Sequence, residues 1–351
     1  MAETLSMTKT GPLSLMVVDD SEANIDILVE TLGDDYDVSV ALDGESALED
    51  IAAHPPDLVL LDIMMPGIDG YEVCRRLKAN PQTQDIPVIF LSALSDTRDK
   101  VRGLDLGAVD YIAKPFQVEE VTARVNTHLT IHRLKRELAH ELQVVAEIQK
   151  SLLPRALPNI EGMQLWAHYQ TSRYAGGDYY DIVALPDKQW GFLVADAVGH
   201  SAPAAVRMAM TCTLFRSFPG PYAQPGQVLK YINAHLCRMI TDGGFVTALY
   251  GVYCTRTRRF RFATAGHPPP IVFRSEDGAA MEVDSDGVFP MAIEPYDDVP
   301  QSGISFTAGD RWMIYTDGIT ERFNANGDMY GEERLLRAFG SECNGNPRQL
   351  G

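Results

Sequence analysis

The sequence is short of positive charge. Its 351 residues hold 30 Lys and Arg against 48 Asp and Glu, a formal net charge of −18 at pH 7. Nucleic-acid binding needs cations to neutralise phosphates, so this balance argues against it. No helix-turn-helix pattern or basic face is present either. No apolar run approaches the roughly 18 residues that a membrane span needs. The N-terminus has no charged-then-apolar leader pattern, and a cytoplasmic protein is expected, without nucleic-acid or membrane partners. The five cysteines (Cys74, Cys212, Cys237, Cys254 and Cys343) are scattered. Without a Cys-x-x-Cys pair, reduced thiols are the expectation rather than disulfides or zinc. Neither a Ser-His nor a Cys-His arrangement suited to nucleophilic catalysis stands out.

Glycine and proline are also missing, locally, between Pro115 and Pro154. So long an uninterrupted run predicts an unusually long helix. Within it Ile131, Leu134, Leu138, Val145, Ile148 and Leu152 recur at alternating steps of three and four if Glu141 fills the gap. That is a heptad seam with one polar position. A chain of this length implies two domains, and the helix joins them. The expected organisation is a disordered segment 1–12, a first domain 13–130, a coiled-coil linker 131–154 and a second domain 155–351.

In the first domain, five short apolar runs alternate with helical patterns: Leu15–Val18, Val38–Ala41, Leu58–Ile63, Val88–Leu91 and Tyr111–Ala113. Helices are expected over 21–32, 45–54, 70–79, 97–106 and from 118 onward. Apolar strands alternating with helices predict a parallel sheet covered on both faces, with ligands at the carboxyl ends of the strands. The polar residues fall at those ends: Asp19 and Asp20, then Asp62, Ser92 and Lys114. Three converging carboxylates need a cation, and oxygen ligands favour Mg²⁺. A lysine and a hydroxyl beside that cation make a pocket for a phosphoryl group. Taken singly, Asp20 also reads as a helix cap and Lys114 as a surface charge.

The set DD, LLDIMMPGIDG, LSA and DYIAKPF resembles a two-component response-regulator receiver domain, an α/β flavodoxin-like fold with a five-stranded parallel sheet. The resemblance covers Leu13 to about His132. It implies phosphorylation of Asp62 by a sensor histidine kinase or phosphotransfer protein. It also implies Mg²⁺ held by Asp20, Asp62 and the Met64 carbonyl, with Asp19 acting through water. Ser92 and Lys114 would contact the phosphoryl group, and Tyr111 would be the switch aromatic.

The second domain has a different order. Strands are expected at Gln164–Tyr169, Tyr179–Val183 and Trp190–Asp196, then helices at Ala202–Phe218 and Gln227–Ile240. Further strands follow at Val246–Tyr253, Phe260–Ala265, Ile271–Phe273, Ile304–Phe306 and Trp312–Thr316, with a last helix at Glu332–Phe339. This pattern predicts an α+β domain of antiparallel sheets flanked by helices. TRTRRF and SEDGAA read as hairpin loops. Asp178, Asp196 and Asp317 sit at the ends of apolar runs beside glycines, which let the backbone approach a ligand. Such a donor set suits two Mg²⁺ or Mn²⁺ ions that activate water toward a phosphate ester. His200 and His267, in glycine-flanked turns, read as structural.

GGDYYD, DAVGHS, TAGHPPP and YTDGITE, in this order, resemble the metal-dependent PPM phosphatases of the SpoIIE/RsbU branch. The fold implied is a PPM sandwich, covering about Glu147 to the end, with EIQKSLLP as its lead-in. The resemblance implies that Asp196 bridges two ions, that Asp178 and the Ala197 carbonyl complete one site, and that Asp317 belongs to the other. Ser201 and Ala195 stand where glycine is common. The family closes on an Asp-Asp-x-Thr strand, whereas this sequence ends at Gly351 without one. A weak ion on the Asp317 side and reduced activity of the 351 residues are therefore expected. The function implied is a response regulator, phosphorylated on Asp62 and dimeric through the linker. It would dephosphorylate phosphoserine or phosphothreonine in an anti-sigma-factor antagonist. The alternative is a phosphatase-like adaptor that binds a sigma factor or its regulator without hydrolysis.

Overall fold

The structure is a computed structural model that describes residues 13–92, 97–171, 175–199, 202–324 and 326–341. Residues 1–12, His200, Ser201 and the chain end at 347–351 lie outside them. Two compact units meet at Leu138/Ala139, inside one continuous helix.

The first unit contains β1 (Ser14–Val18), α1 (Glu22–Leu32), β2 (Asp37–Ala41), α2 (Gly44–Ala53), β3 (Leu58–Asp62), α3 (Gly70–Ala79), β4 (Val88–Ser92), α4 (Thr97–Asp105), β5 (Asp110–Ala113) and the start of α5 (Val118–Leu152). The sheet is wholly parallel in the order β2-β1-β3-β4-β5. Every residue of β3 and β4 is buried, as a central parallel strand covered on both faces requires. Alternate residues feed two cores. Met16, Val18, Val59 and Leu61 face one. Leu15, Val17, Leu58 and Leu60 face the other, where Val121, Val125 and Leu129 of α5 also pack. The expected five strands and five helices are all present, within two residues at their ends.

Helix α5 has 35 residues, roughly 50 Å at 1.5 Å per residue. Its environment changes along its length. Val121, Val125 and Leu129 are buried, whereas Ile131, Leu134, Leu138 and Ile148 are 55–59% exposed. Its end, at Gln149 and Leu153, is buried again, in the second unit.

That unit contains β6 (Asp178–Leu185), β7 (Gln189–Ala197), α6 (Ala202–Arg216), α7 (Pro225–Met239), β8 (Val246–Cys254), β9 (Arg259–Ala265), β10 (Ile271–Arg274), β11 (Ala279–Glu282), β12 (Ser302–Ser305), β13 (Arg311–Met313) and α8 (Glu332–Ser341). An antiparallel sheet, β12-β9-β8-β7-β6, faces a smaller one, β11-β10-β13. Period-two alternation sorts the side chains. Leu193, Ala248, Tyr250 and Ala263 pack under α6 and α7. Phe192, Leu249, Phe260 and Phe262 meet Trp312 between the sheets. Helix α8 covers the outer face of the small sheet through Leu335 and Phe339.

Two expectations need correction. Gln164–Tyr169 is not a strand. Leu165 and Tyr169 are packed on the domain's cores, but the backbone joins no ladder. The alternation thus reflects anchoring of an extended segment. The run expected at Trp312–Thr316 leaves the sheet after Met313, and β11 (AAME), short, mostly exposed and beginning within the expected SEDGAA loop, is an added edge strand.

Candidate functional sites

In the first unit the strand ends converge as the sheet order dictates. Asp19, Asp20 and Asp62 each offer a carboxylate oxygen, all within 4.8 Å of one another. Asp19 is fully buried, and its Oδ1 accepts from the Ser21 N–H (3.0 Å) and from Asn24 Nδ2 (2.9 Å). Lys114 Nζ lies 2.7 Å from Asp19 Oδ2 and 2.9 Å from Asp62 Oδ2. Burial raises the Asp62 carboxyl, against the pull of Lys114. Burial also lowers Lys114, but its bonds to Asp19 and Asp62 outweigh this and hold it above its ordinary value. The Met64 N–H also donates to Asp62, while the Met64 side chain is 69% exposed. Ser92, buried at the end of β4, lines a small cavity together with Tyr111, Asp110 and Phe90. Arg124 stacks 5.7 Å from the Tyr111 ring and pairs with Asp110 at 2.7 Å.

In the second unit the antiparallel register sets Asp178 directly opposite Asp196. The two carboxyls are hydrogen bonded, and Thr316 also bonds Asp178. Burial, then the charges of Asp178 and Asp317, push Asp196 up to about 8. Burial raises Asp178 too, with Asp317 adding and Thr316 opposing. Asp317 lies in a turn beyond β13 and reaches the pair electrostatically. The tight three-carboxylate cluster among the described residues is that of the first unit. Gly177 lets the Ala197 carbonyl approach: a Cβ there would lie 2.0 Å from the Ala197 oxygen and 2.8 Å from Asp196 Oδ1. In the second unit, carboxyls raised first by burial and then by their neighbours' charges, beside the Ala197 carbonyl, fit a hard divalent cation, as do the three clustered carboxylates of the first.

The shift of Asp196 gives a pH test. The folded chain keeps a proton that the unfolded chain releases above its ordinary 3.8. Metal-free stability therefore falls as pH rises from there to about 8. A cation displaces that proton, so Mn²⁺ affinity should rise toward pH 8, by up to about tenfold per pH unit for a single proton. Calorimetric titrations of chelator-treated protein at pH 6, 7 and 8 check this. Equal affinity at all three would remove Asp196 from the metal set.

Several residues of the site had no sequence signal. The side chain of Gln149, one turn before the end of α5, clasps Gly176. Its Nε2 donates to the Gly176 carbonyl (2.6 Å), and its Oε1 accepts from the Gly176 N–H (3.0 Å). Arg216 of α6 joins the Leu152 carbonyl (2.8 Å) to Asp181 (2.8 Å). The end of the long helix is thereby fastened two residues before Asp178. Glu321 adds a fourth charge to the acidic set. His267 is buried and bonds Thr247 at 3.1 Å.

Comparison with known proteins divides the chain in the same way. Residues 15–126 match the response regulator receiver domain family, and residues 186–350 match the family Stage II sporulation protein E (SpoIIE). The chain is 43% identical over 137 residues to a "Probable cyclic di-GMP phosphodiesterase" of Vibrio cholerae, covering 39% of this chain and 31% of that protein. It is 46% identical over 114 residues to response regulator PleD of Caulobacter vibrioides, covering 32% and 25%. Relatives of this kind are matched over about a quarter to a half of their length. Among solved structures, the Francisella response regulator 1452 receiver domain is 34% identical, with 34% of this chain and 97% of that chain covered and a TM-score of 0.32.

Proposed function

We propose that this chain, which joins a response regulator receiver domain to a SpoIIE-type phosphatase domain, is a metal-dependent protein serine/threonine phosphatase governed by phosphorylation of Asp62. The observation that carries the reading is the pairing of Asp178 and Asp196 across β6 and β7, beside the Ala197 carbonyl. Divalent ions held there supply Lewis acidity toward a phosphate ester and lower the pKa of water. The chain's own groups do the holding. Asp196 faces both Asp178 and Asp317, the Thr316 hydroxyl orients Asp178, and Gly177 makes room for the carbonyl. An anti-sigma-factor antagonist carrying phosphoserine or phosphothreonine is the substrate suggested by the family resemblance. The receiver takes its phosphoryl group from a histidine kinase or phosphotransfer protein, with Mg²⁺ among Asp19, Asp20 and Asp62. Manganese-dependent release of phosphate from a phosphoserine protein tests the reading. Binding without release would instead favour the adaptor.

Helix α5 is the transmission element in this proposal. Its first turns belong to the receiver core and its last turn clasps Gly176. Between them, the exposed heptad residues Ile131, Leu134, Leu138 and Ile148 suit a parallel coiled coil with a second copy. Arg124, Thr127 and Glu141 on or near the seam keep that coil weak enough to repack. Leu138→Asp places a charge in the seam. It is expected to give a monomer in analytical ultracentrifugation and to uncouple hydrolysis from Asp62. A wild-type monomer whose hydrolysis still responds to Asp62 contradicts the dimeric mechanism.

A further inference from the structure

Tyr169 lies in the extended segment that precedes β6. It is half-buried, and its ring packs against the core under α6 and α7. The hydroxyl at its tip is buried, yet it has no hydrogen-bond partner. A Cβ on Gly176 would lie 3.8 Å from this hydroxyl oxygen, so the hydroxyl stands beside that glycine. Gly176 is two residues before Asp178. Burial, then the Asp178 charge, push the phenol up to about 12. The group is therefore a donor at neutral pH, and Asp178 is the charge that reaches it.

A buried donor without an acceptor is costly, and folded chains rarely keep one. Gln149 already engages both backbone groups of Gly176. In the metal-free chain Asp178 is engaged as well, by the Asp196 carboxyl and by Thr316. A divalent cation held by Asp178 and Asp196 replaces the bond between these two carboxyls. Asp178 then loses a hydrogen-bond partner while it carries a full charge. A hydroxyl that donates to an ionised carboxylate makes a bond roughly twice as strong as a neutral pair. Carboxylates that ligate metals are commonly held by such bonds, which fix their orientation.

We infer that Tyr169 is a positioning residue of the metal site, whose hydroxyl donates to the Asp178 carboxylate, directly or through one water, when a divalent cation is bound. The inference rests on the reading of Asp178 and Asp196 as the cation ligands of a phosphatase. It assigns the hydroxyl a partner in the loaded chain and none in the metal-free chain. Its contribution should therefore show in cation affinity and not in the stability of the metal-free fold.

The test compares Tyr169→Phe with wild type, both as the full chain after treatment with chelator. Phenylalanine keeps the ring and its packing and removes only the hydroxyl. In calorimetric titration, Mn²⁺ affinity should fall about tenfold, the lower end of what a supporting group around a metal ligand contributes. The metal-free melting temperature should stay equal or rise, because the group removed had no partner. Tyr250→Phe supplies the contrast, since the Tyr250 hydroxyl donates to the Tyr222 carbonyl (2.9 Å). Its loss should lower the metal-free melting temperature and leave Mn²⁺ affinity unchanged.

Unchanged Mn²⁺ affinity in Tyr169→Phe overturns the inference and leaves the metal reading standing. A metal-free Tyr169→Phe chain that melts lower, as Tyr250→Phe should, also overturns it, because the hydroxyl would then serve the fold. Absence of Mn²⁺ binding by the wild-type chain removes the metal reading, and the inference with it.

Discussion

Asp196→Asn should lower phosphoprotein hydrolysis by at least about a hundredfold. Groups that merely support metal ligands cost about 10- to 100-fold when removed, and Asp196 is proposed as a direct, shared ligand. Loss of activity alone would not separate this from misfolding. The electrostatics supply a second readout. Asp196 is held at about 8 by burial and by the charges of Asp178 and Asp317. Asparagine removes one of three repelling carboxylates without changing shape. The metal-free variant should therefore melt higher than wild type near pH 8, yet gain less on adding Mn²⁺. A variant that melts lower and still gains the full Mn²⁺ shift would place the metals elsewhere.

Gly177→Ala should be nearly as damaging, by a different route. The new methyl would lie 2.0 Å from the Ala197 oxygen, on backbone that cannot step aside as a side chain can. Forcing it in should cost about 1–3 kcal/mol of stability and separate Asp178 from the Ala197 carbonyl. Gly318, beside Asp317, is the control, because a Cβ there meets nothing within 4 Å. Gly318→Ala should leave the melting temperature within about a degree or two. Urea unfolding and phosphate release on both variants check the contrast. Similar behaviour of the two would mean that the close approach at Gly177 does not matter.

The same contrast marks what could be foreseen. Both glycines adjoin aspartates in recognisable motifs, and only the three-dimensional register separates them. Strands such as Leu58–Asp62 and Val246–Cys254 were legible because burial on one or both faces writes itself directly into hydrophobic pattern. Gln164–Tyr169 carries a similar pattern for another reason, the anchoring of an extended segment, and pattern alone cannot tell the two apart. Asp178 and Asp196 were visible as strand-end acids, and their direct opposition needed the β6–β7 register. The Gln149 clasp was not legible. A glutamine on a helix looks like any exposed polar residue until Gly176, 27 positions away, is found beside it.

In the proposed mechanism one chain carries an input at Asp62 and an output at Asp196, connected by α5. The receiver packs onto the start of this helix, and its far end is fastened beside Asp178 by Gln149. Coupling between sites in proteins is commonly worth about 5- to 150-fold. The most direct measurement is manganese-dependent dephosphorylation of a phosphoserine protein by the full chain, with and without beryllium fluoride as a phosphoryl mimic on Asp62. A rate change of about fivefold or more is expected, and it should disappear in both Asp62→Ala and Gln149→Ala. Identical rates with and without the mimic, in a chain that does hydrolyse its substrate, would contradict it.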